Sequence, residues 1–272
     1  MIIKYFCASW GLDHLGIVPM LEKIKAAGFD GVEMGIPAAD HDQKLLRETL
    51  SNLHLELIAH QYQAVGGFEE YISSFRASLL TAARICPLFI NSHSGRDYWT
   101  FEQNQRVCET GFEVEAQTGV RIFHETHRKH FLFSTLTAGQ FFDRYPELKI
   151  TADLSHWTCV SESMLADQPE ILARAIGRAE HIHARVGHEQ GPQIPDPRAP
   201  EWETHVKTFT SWWQRIADTF RKNGREYLTI TPEFGPIPYT WMLPFSQQPV
   251  SDFFELNSVM KKMLQERLIV HP

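Results

Sequence analysis

Eight short runs rich in β-branched and aromatic residues punctuate the chain, at Ile2–Ser9, Gly31–Met34, Leu55–His60, Leu88–His93, Val120–Glu125, Ile150–Asp153, His181–Ala184 and Tyr227–Glu233. Runs of that length and make-up read as buried strands. Between them apolar residues recur at helical spacing, as in Ile17, Met20, Leu21 and Ile24 before a Gly28 stop, and in Phe75, Leu79, Leu80 and Ala83 before Cys86. The spacers Phe101–Gln117, Glu170–Arg178 and Glu201–Lys222 share the pattern, and a last helix from about Val250 to Leu268 has apolar surface enough to dock. Eight β/α repeats in 272 residues have the size and rhythm of a closed parallel barrel.

A doubly wound open sheet alternates in the same way. Two features favour closure: no G-x-G-x-x-G follows the first strand, and polar, ligand-type side chains end the third through eighth strands rather than gathering at one switch point. The expected fold is a single (β/α)8 TIM barrel over residues 1–272, large enough for one sizeable core. A formal charge of −7 offers no global basic field, which disfavours nucleic acid as a partner. Cys7, Cys86, Cys108 and Cys159 are scattered without a C-x-x-C pair, which suits a reducing compartment. With no signal-peptide pattern and no run of membrane-spanning length, a cytoplasmic protein is expected, possible as a homo-oligomer.

The strand ends carry the chemistry. Glu125 closes Val-Arg-Ile-Phe-His-Glu, Asp153 closes Lys-Ile-Thr-Ala-Asp, His183 closes His-Ile-His, and Glu233 closes Tyr-Leu-Thr-Ile-Thr-Pro-Glu. Three hard oxygen donors and one imidazole can hold a divalent cation while leaving positions open for substrate, and a barrel brings its strand ends to one face. Any one of these side chains alone reads as a helix cap or a solvated loop residue; the joint pattern points to a metal site. His181 and His183 share a strand face, one as a core imidazole and the other, His183, as the ligand. His60 and His93 end the third and fourth strands as either supporting donors or additional ligands.

Other motifs fall short. His124-Glu125-Thr126-His127 lacks the second histidine of a zinc-protease helix because Arg128 stands there, and neither a P-loop nor a G-x-S-x-G elbow occurs. Trp212-Trp213 lies in an amphipathic segment and reads as core packing.

At Phe-His-Glu-Thr-His-Arg, Ala-Asp-Leu-Ser-His, His-Ile-His and Thr-Pro-Glu the chain resembles the xylose-isomerase-like TIM barrels of the sugar phosphate isomerase/epimerase superfamily, related to endonuclease IV. The resemblance implies that Glu125, Asp153, His183 and Glu233 bind one divalent ion (Mn, Mg, Co or Zn), that Glu125 and Glu233 move the proton, and that His156 contacts a substrate oxygen. Two departures stand out. Sugar epimerases of this kind place a substrate-binding arginine six residues after the metal histidine, where this chain has Glu189, with Arg185 and His188 nearby; and the Asp-x-His pair of endonuclease IV becomes Asp196-Pro197-Arg198. His60 and His93 resemble zinc ligands of that same branch.

Two carboxylates across one metal suit proton transfer through an enediolate, giving a sugar or sugar-derivative isomerase or epimerase. Arg128, Arg185, His188, His156, His60 and His93 are the candidate substrate contacts, and the Pro-rich stretch from Val186 to Pro200 reads as a lid or as a surface or subunit contact. The competing classes are a metal-dependent dehydratase or lyase of a sugar acid and an endonuclease IV-like zinc phosphodiesterase.

Overall fold

In the computed structural model, which describes residues 1–269, eight parallel strands pair in sequence order and close into a barrel. They are β1 (Ile2–Ala8), β2 (Gly31–Met34), β3 (Glu56–Gln61), β4 (Ile90–Ser92), β5 (Ile122–Glu125), β6 (Ile150–Ala152), β7 (Ala179–Ala184) and β8 (Tyr227–Pro232). Closure is made by β1 against β8, with Ile3 opposite Leu228 and Tyr5 opposite Ile230. The expected (β/α)8 architecture is therefore present, and each expected strand is found within a few residues of its limits.

The helices are α1 (Ile17–Ala26), α2 (Asp40–Leu53), α3 (Phe68–Ala83), α4 (Phe101–Thr118), α5 (Thr135–Arg144), α6 (Leu154–Ser161), α7 (Pro169–Arg178), α8 (Glu203–Lys222) and α9 (Phe253–Arg267). Three of them, α2, α5 and α6, were not apparent from spacing. In α2 only Gln43, Leu46, Thr49 and Leu50 are buried, a stripe too narrow and too polar to stand out, and α6 is only eight residues long. No helix among the described residues is long and apolar enough to cross a membrane.

Period-two alternation sorts the strand residues into two environments. Ile122, Ile182 and Val32 face the helices as part of the large outer core, whereas Phe6, Ile58, Phe89 and Phe123 form a separate apolar cluster inside the barrel. Each such aromatic contributes roughly 1.5–3 kcal/mol on burial, and together they exclude water from the barrel beneath the polar layer. Gly31 is required beside this plug, since a Cβ there would lie 2.3 Å from the Phe6 ring and 2.4 Å from the Glu56 carbonyl oxygen. One step along the strands from the plug, the inward positions change character to Glu33, Asn91, Glu125, His181, His183, Thr229 and Thr231, all buried.

Candidate active site

Glu125, Asp153, His183 and Glu233 converge at the C-terminal ends of β5, β6, β7 and β8, each offering a ligand-type atom within 4.8 Å of the others. The strand period explains the two on β5 and β7: Glu125 is two residues past the plug residue Phe123, and His183 two past His181, so each shares the inward face of its strand. His124, between them in register, turns outward, with its Nδ1 2.7 Å from Ser94 Oγ and its ring 5.2 Å from that of Phe131.

Asp153 serves two ends at once. Its Oδ1 caps α6, accepting from Ser155 N at 3.0 Å and Ser155 Oγ at 2.5 Å, while Oδ2 accepts a hydrogen bond from Arg185 Nη2. The capping role and the ligand position are compatible because a carboxylate has two oxygens.

His183 is held by Glu33 at the end of β2. Nε2 lies 2.9 Å from Glu33 Oε1, and with Nε2–H donated to that carboxylate Nδ1 is turned toward the convergent acids. Nδ1 then approaches Glu233 Oε2 at 2.8 Å and Glu125 Oε1 at 3.5 Å. Glu33 also receives Asn91 Nδ2 at 2.8 Å and Thr231 Oγ1 at 2.6 Å, and its Oε2 is 3.2 Å from His181 Nε2. His181 spends its other nitrogen on Thr229, 2.9 Å from the carbonyl oxygen, and so sits as a doubly bonded imidazole deeper in the barrel.

Among the buried atoms here that lack a hydrogen-bond partner are Glu125 Oε1, His183 Nδ1 and Glu233 Oε2. A buried polar atom without a partner carries the full cost of its desolvation, roughly 1–3 kcal/mol and more when charged. Two carboxylate oxygens and an imidazole nitrogen left over at one point, with Asp153 beside them, are the donor set of a divalent cation. The residues present fit such an ion.

The electrostatics agree. Burial works against charge on Glu33 and Glu125, yet the neighbouring histidines outweigh it and hold both carboxyls well below the usual range. For His183 burial likewise opposes charge, and the carboxylates of Glu233, Glu33 and Glu125 overcome it, raising its pKa well above the ordinary value. Asp153 is shifted up, by burial first and then by Glu233 and Glu125, against the pull of Arg185. A cation among acidic groups this close would add to the balance that the histidines and Arg185 already supply.

No protein-family model matches this sequence, and neither does any curated protein. Solved structures do match in shape. A D-tagatose 3-epimerase-like protein superposes with a TM-score of 0.66 at 14% identity, covering 97% of this chain and 97% of that one. The 3-keto-D-glucoside 4-epimerase from E. coli gives a TM-score of 0.64 at 11% identity over 97% of this chain and 99% of its own. A xylose isomerase-like TIM barrel protein from Mycobacterium smegmatis, in complex with magnesium, gives 0.63 at 11% identity over 93% and 89%. The fold is that of the xylose-isomerase-like TIM barrels.

Above the four convergent residues the barrel opens into a cavity of about 400 Å³ whose walls include Trp10, His60, Tyr62, His93, Glu233 and Tyr239. The expected substrate contacts divide between this cavity and its rim. His93 Nε2 is 3.0 Å from Glu125 Oε2, and His60 Nε2, buried without a hydrogen-bond partner, is 4.0 Å from the same oxygen. Burial first and then His93 depress the His60 pKa to about 4, so it is neutral near pH 7. His156, on the first turn of α6, is fully buried with Nε2 3.0 Å from Arg185 Nη2. Arg185 reaches into the cavity: Nε donates to Ser155 Oγ at 3.3 Å, Nη2 lies 3.1 Å from Glu233 Oε2, and Nη1 has no partner although the residue is 1% exposed. Arg128 and His188 sit further out, on the far side of Tyr239.

Sequence reasoning missed Glu33, Asn91 and Tyr239. Glu33 has one local signal, a carboxylate within the short run Gly31–Met34, but its inward position beside outward-facing Val32 comes from the structure. Asn91 and Tyr239 carry no comparable local signal. The loop from Val186 to Pro200 is largely packed, with Ile194 N donating to Val186 O at 2.9 Å and Gln193 bonded on both sides of its amide to Gly235.

Proposed function

We propose that the protein is a divalent-metal-dependent epimerase or isomerase of a sugar or sugar derivative. The observation that carries this reading is the convergence of Glu125 Oε1, His183 Nδ1 and Glu233 Oε2, buried and without hydrogen-bond partners, around the point that Asp153 also faces. An ion there supplies Lewis-acid polarisation of a carbonyl and its adjacent hydroxyl. Glu125 and Glu233, reaching that point from different strands, provide one carboxylate to remove the carbon-bound proton and another to return one. Delivery to the opposite face of the same carbon gives epimerisation; delivery to the neighbouring carbon gives aldose–ketose isomerisation. Arg185 Nη1 offers a buried donor to the developing oxyanion, and His156 backs the same guanidinium. Trp10, Tyr62 and Tyr239 give the cavity aromatic walls suited to the apolar face of a sugar ring. Several structures of this fold bear the names of sugar epimerases, which supports the choice of substrate class.

A second reading is favoured by one further grouping, His60, His93 and Glu125, whose ligand-type atoms also lie within 4.8 Å of one another. Shared use of Glu125 would accommodate a second ion and phosphodiester hydrolysis of the endonuclease IV kind. Against a third ion, Asp196 is engaged by Arg198 at 2.6 Å, and Arg198 also binds Glu255 at 2.8 Å.

The deciding experiment is metal analysis joined to isotope exchange. Protein loaded with Mn²⁺ is incubated with a panel of ketoses and keto sugar acids in deuterium oxide and followed by proton NMR. Deuterium at the carbon beside the carbonyl, with one ion per chain, supports the epimerase or isomerase reading. Net loss of water from a sugar acid moves the assignment to a dehydratase, and two zinc ions with cleavage of an abasic-site duplex move it to the phosphodiesterase.

A further inference from the structure

Two residues past Glu125 the chain runs His127-Arg128-Lys129-His130, a histidine pair that the carboxylate site does not use. His130 N donates to His127 O at 3.2 Å, and Lys129 stands at φ +76°, in the left-handed region that residues with a Cβ seldom adopt. The tight turn so formed is tied to the segment after β4, with Phe131 N donating to Ser94 O at 2.9 Å and Asp97 N to Lys129 O at 3.3 Å. It sets both imidazoles beside His93, just past β4, and the three residues each offer a ligand-type nitrogen within 4.8 Å of the others. Their ring centroids are 4.5 Å apart for His93 and His127, 4.7 Å for His93 and His130, and 5.1 Å for His127 and His130. Imidazole bound to zinc at roughly 2.0–2.1 Å has its ring centroid about 3.2 Å from the ion, which separates two such rings by about 4.5–5.2 Å for ligand angles between square and tetrahedral. The observed spacings fall in that range.

Hydrogen bonding prepares the rings for a ligand role. His130 Nδ1–H donates to Gly95 O at 3.1 Å, and His127 Nδ1–H donates to Arg128 O. A carbonyl oxygen only accepts, so each neutral ring carries its lone pair on Nε2. Among the described residues no hydrogen bond engages either Nε2. An imidazole anchored through one nitrogen on a backbone carbonyl, with the other nitrogen free, is the arrangement in which metal-binding histidines are oriented. His93 is placed by Glu125, whose Oε2 lies 3.0 Å from Nε2. His93 and His127 also border the cavity of about 400 Å³, which gives an ion a path of entry and open coordination positions. The trio shares no residue with Glu125, Asp153, His183 and Glu233.

We infer that His93, His127 and His130 form a separate metal site, which takes a late transition-metal cation of the Zn²⁺ or Cu²⁺ kind in preference to Mg²⁺ or Mn²⁺. Three imidazoles and no carboxylate favour those ions, whereas the three acids and single imidazole around Asp153 favour the harder ones. The chain thus sorts two cations by donor chemistry at two places along one cavity. The site differs from the grouping of His60, His93 and Glu125, where a carboxylate would be shared, and its occupancy does not depend on the reaction proposed for the carboxylates.

Untagged protein loaded with Mg²⁺ and titrated with Zn²⁺, and separately with one equivalent of Cu²⁺, tests the site. The Cu²⁺ form should show electron paramagnetic resonance splitting from more than one nitrogen, because copper among the convergent carboxylates would meet only the nitrogen of His183. In His130→Asn and His127→Asn the amide nitrogen replaces Nδ1 as the donor while Nε2 is removed, so the fold is supported and the ligand is lost. Each substitution should weaken the tightest Zn²⁺ binding by about 100-fold, measured calorimetrically, whereas His60→Gln should change it by no more than about threefold. His127→Asn, on the less buried ring, carries the test if His130→Asn does not fold. Zn²⁺ binding that survives both asparagine substitutions resides on other histidines and overturns the site, as does a copper signal split by a single nitrogen. Loss of the ion in His60→Gln with retention in His130→Asn overturns it as well, in favour of the grouping that shares Glu125.

Discussion

Glu33 Oε1 and His183 Nε2 are 2.9 Å apart although 150 positions separate them in the chain. The contact fixes which nitrogen of His183 faces the convergent carboxylates, because Nε2–H held by Glu33 turns Nδ1 toward them. Substituting Glu33→Gln keeps the volume but allows either ring orientation. Metal affinity should fall by about 10–100-fold, as measured by titration calorimetry with Mn²⁺. An unchanged affinity would show that His183 is oriented by packing alone.

Asp153 both caps α6 and faces the proposed ion position, and the two roles separate by substitution. Asparagine caps a helix about as well as aspartate, so Asp153→Asn should leave the capping contribution largely intact while removing a charged donor. The expected result is loss of tightly held metal after gel filtration, read by plasma emission analysis. Asp153→Ala should lose the ion and, in addition, about 1 kcal/mol of capping energy. Stoichiometric metal in the asparagine variant would place the site elsewhere.

Glu125 and Glu233 are the proposed proton carriers. Glutamine at either position keeps an oxygen donor but cannot accept a proton from carbon, so turnover should fall by 10²-fold or more, roughly the contribution of general base catalysis, with a smaller loss of metal. Because the two carboxylates act at successive steps, one variant should still wash deuterium into substrate without forming product. Near-normal turnover in both variants would leave these residues as ligands without a catalytic part.

Buried histidines make the fold sensitive to acid. Burial holds His124 neutral and pushes its pKa down to about 3, and burial followed by the repulsion of His93 does the same to His130. The unfolded chain accepts a proton at each near 6.5, the folded one only near 3. Stability from these groups is thus complete above pH 6.5 and is lost as the pH falls toward 3, at about 1.4 kcal/mol per pH unit for each histidine. Urea unfolding of a His124→Gln variant between pH 4 and 6.5 should show a shallower slope by that amount. The slope is the readout, since the loss of the Ser94 contact lowers stability equally at every pH. An identical slope in wild type and variant would rule His124 out as a source of acid lability.

Much of this architecture is a local property of the chain. Short β-branched runs spaced by amphipathic helices determine a parallel β/α succession, and period-two alternation places Glu125 on the inward face with Phe123, and His183 with His181. Three carboxylates and an imidazole at strand ends are readable for the same reason: the end of a strand is a local event, and the barrel rule says where all ends go. What lay outside that reach depends on closure. Glu33 gains its meaning only when β1 pairs with β8 and closure brings β2 within reach of β7 across the barrel, and Asn91 only when its amide finds Glu33 and Glu125 together. Arg185 reads in the sequence as one of several basic residues near a loop; its burial against Asp153, Glu233 and Tyr239 arises because β6, β7, β8 and the segment after β8 meet at one rim. Periodicity reports which way a side chain points relative to its own backbone. Only the closed barrel decides what it meets there.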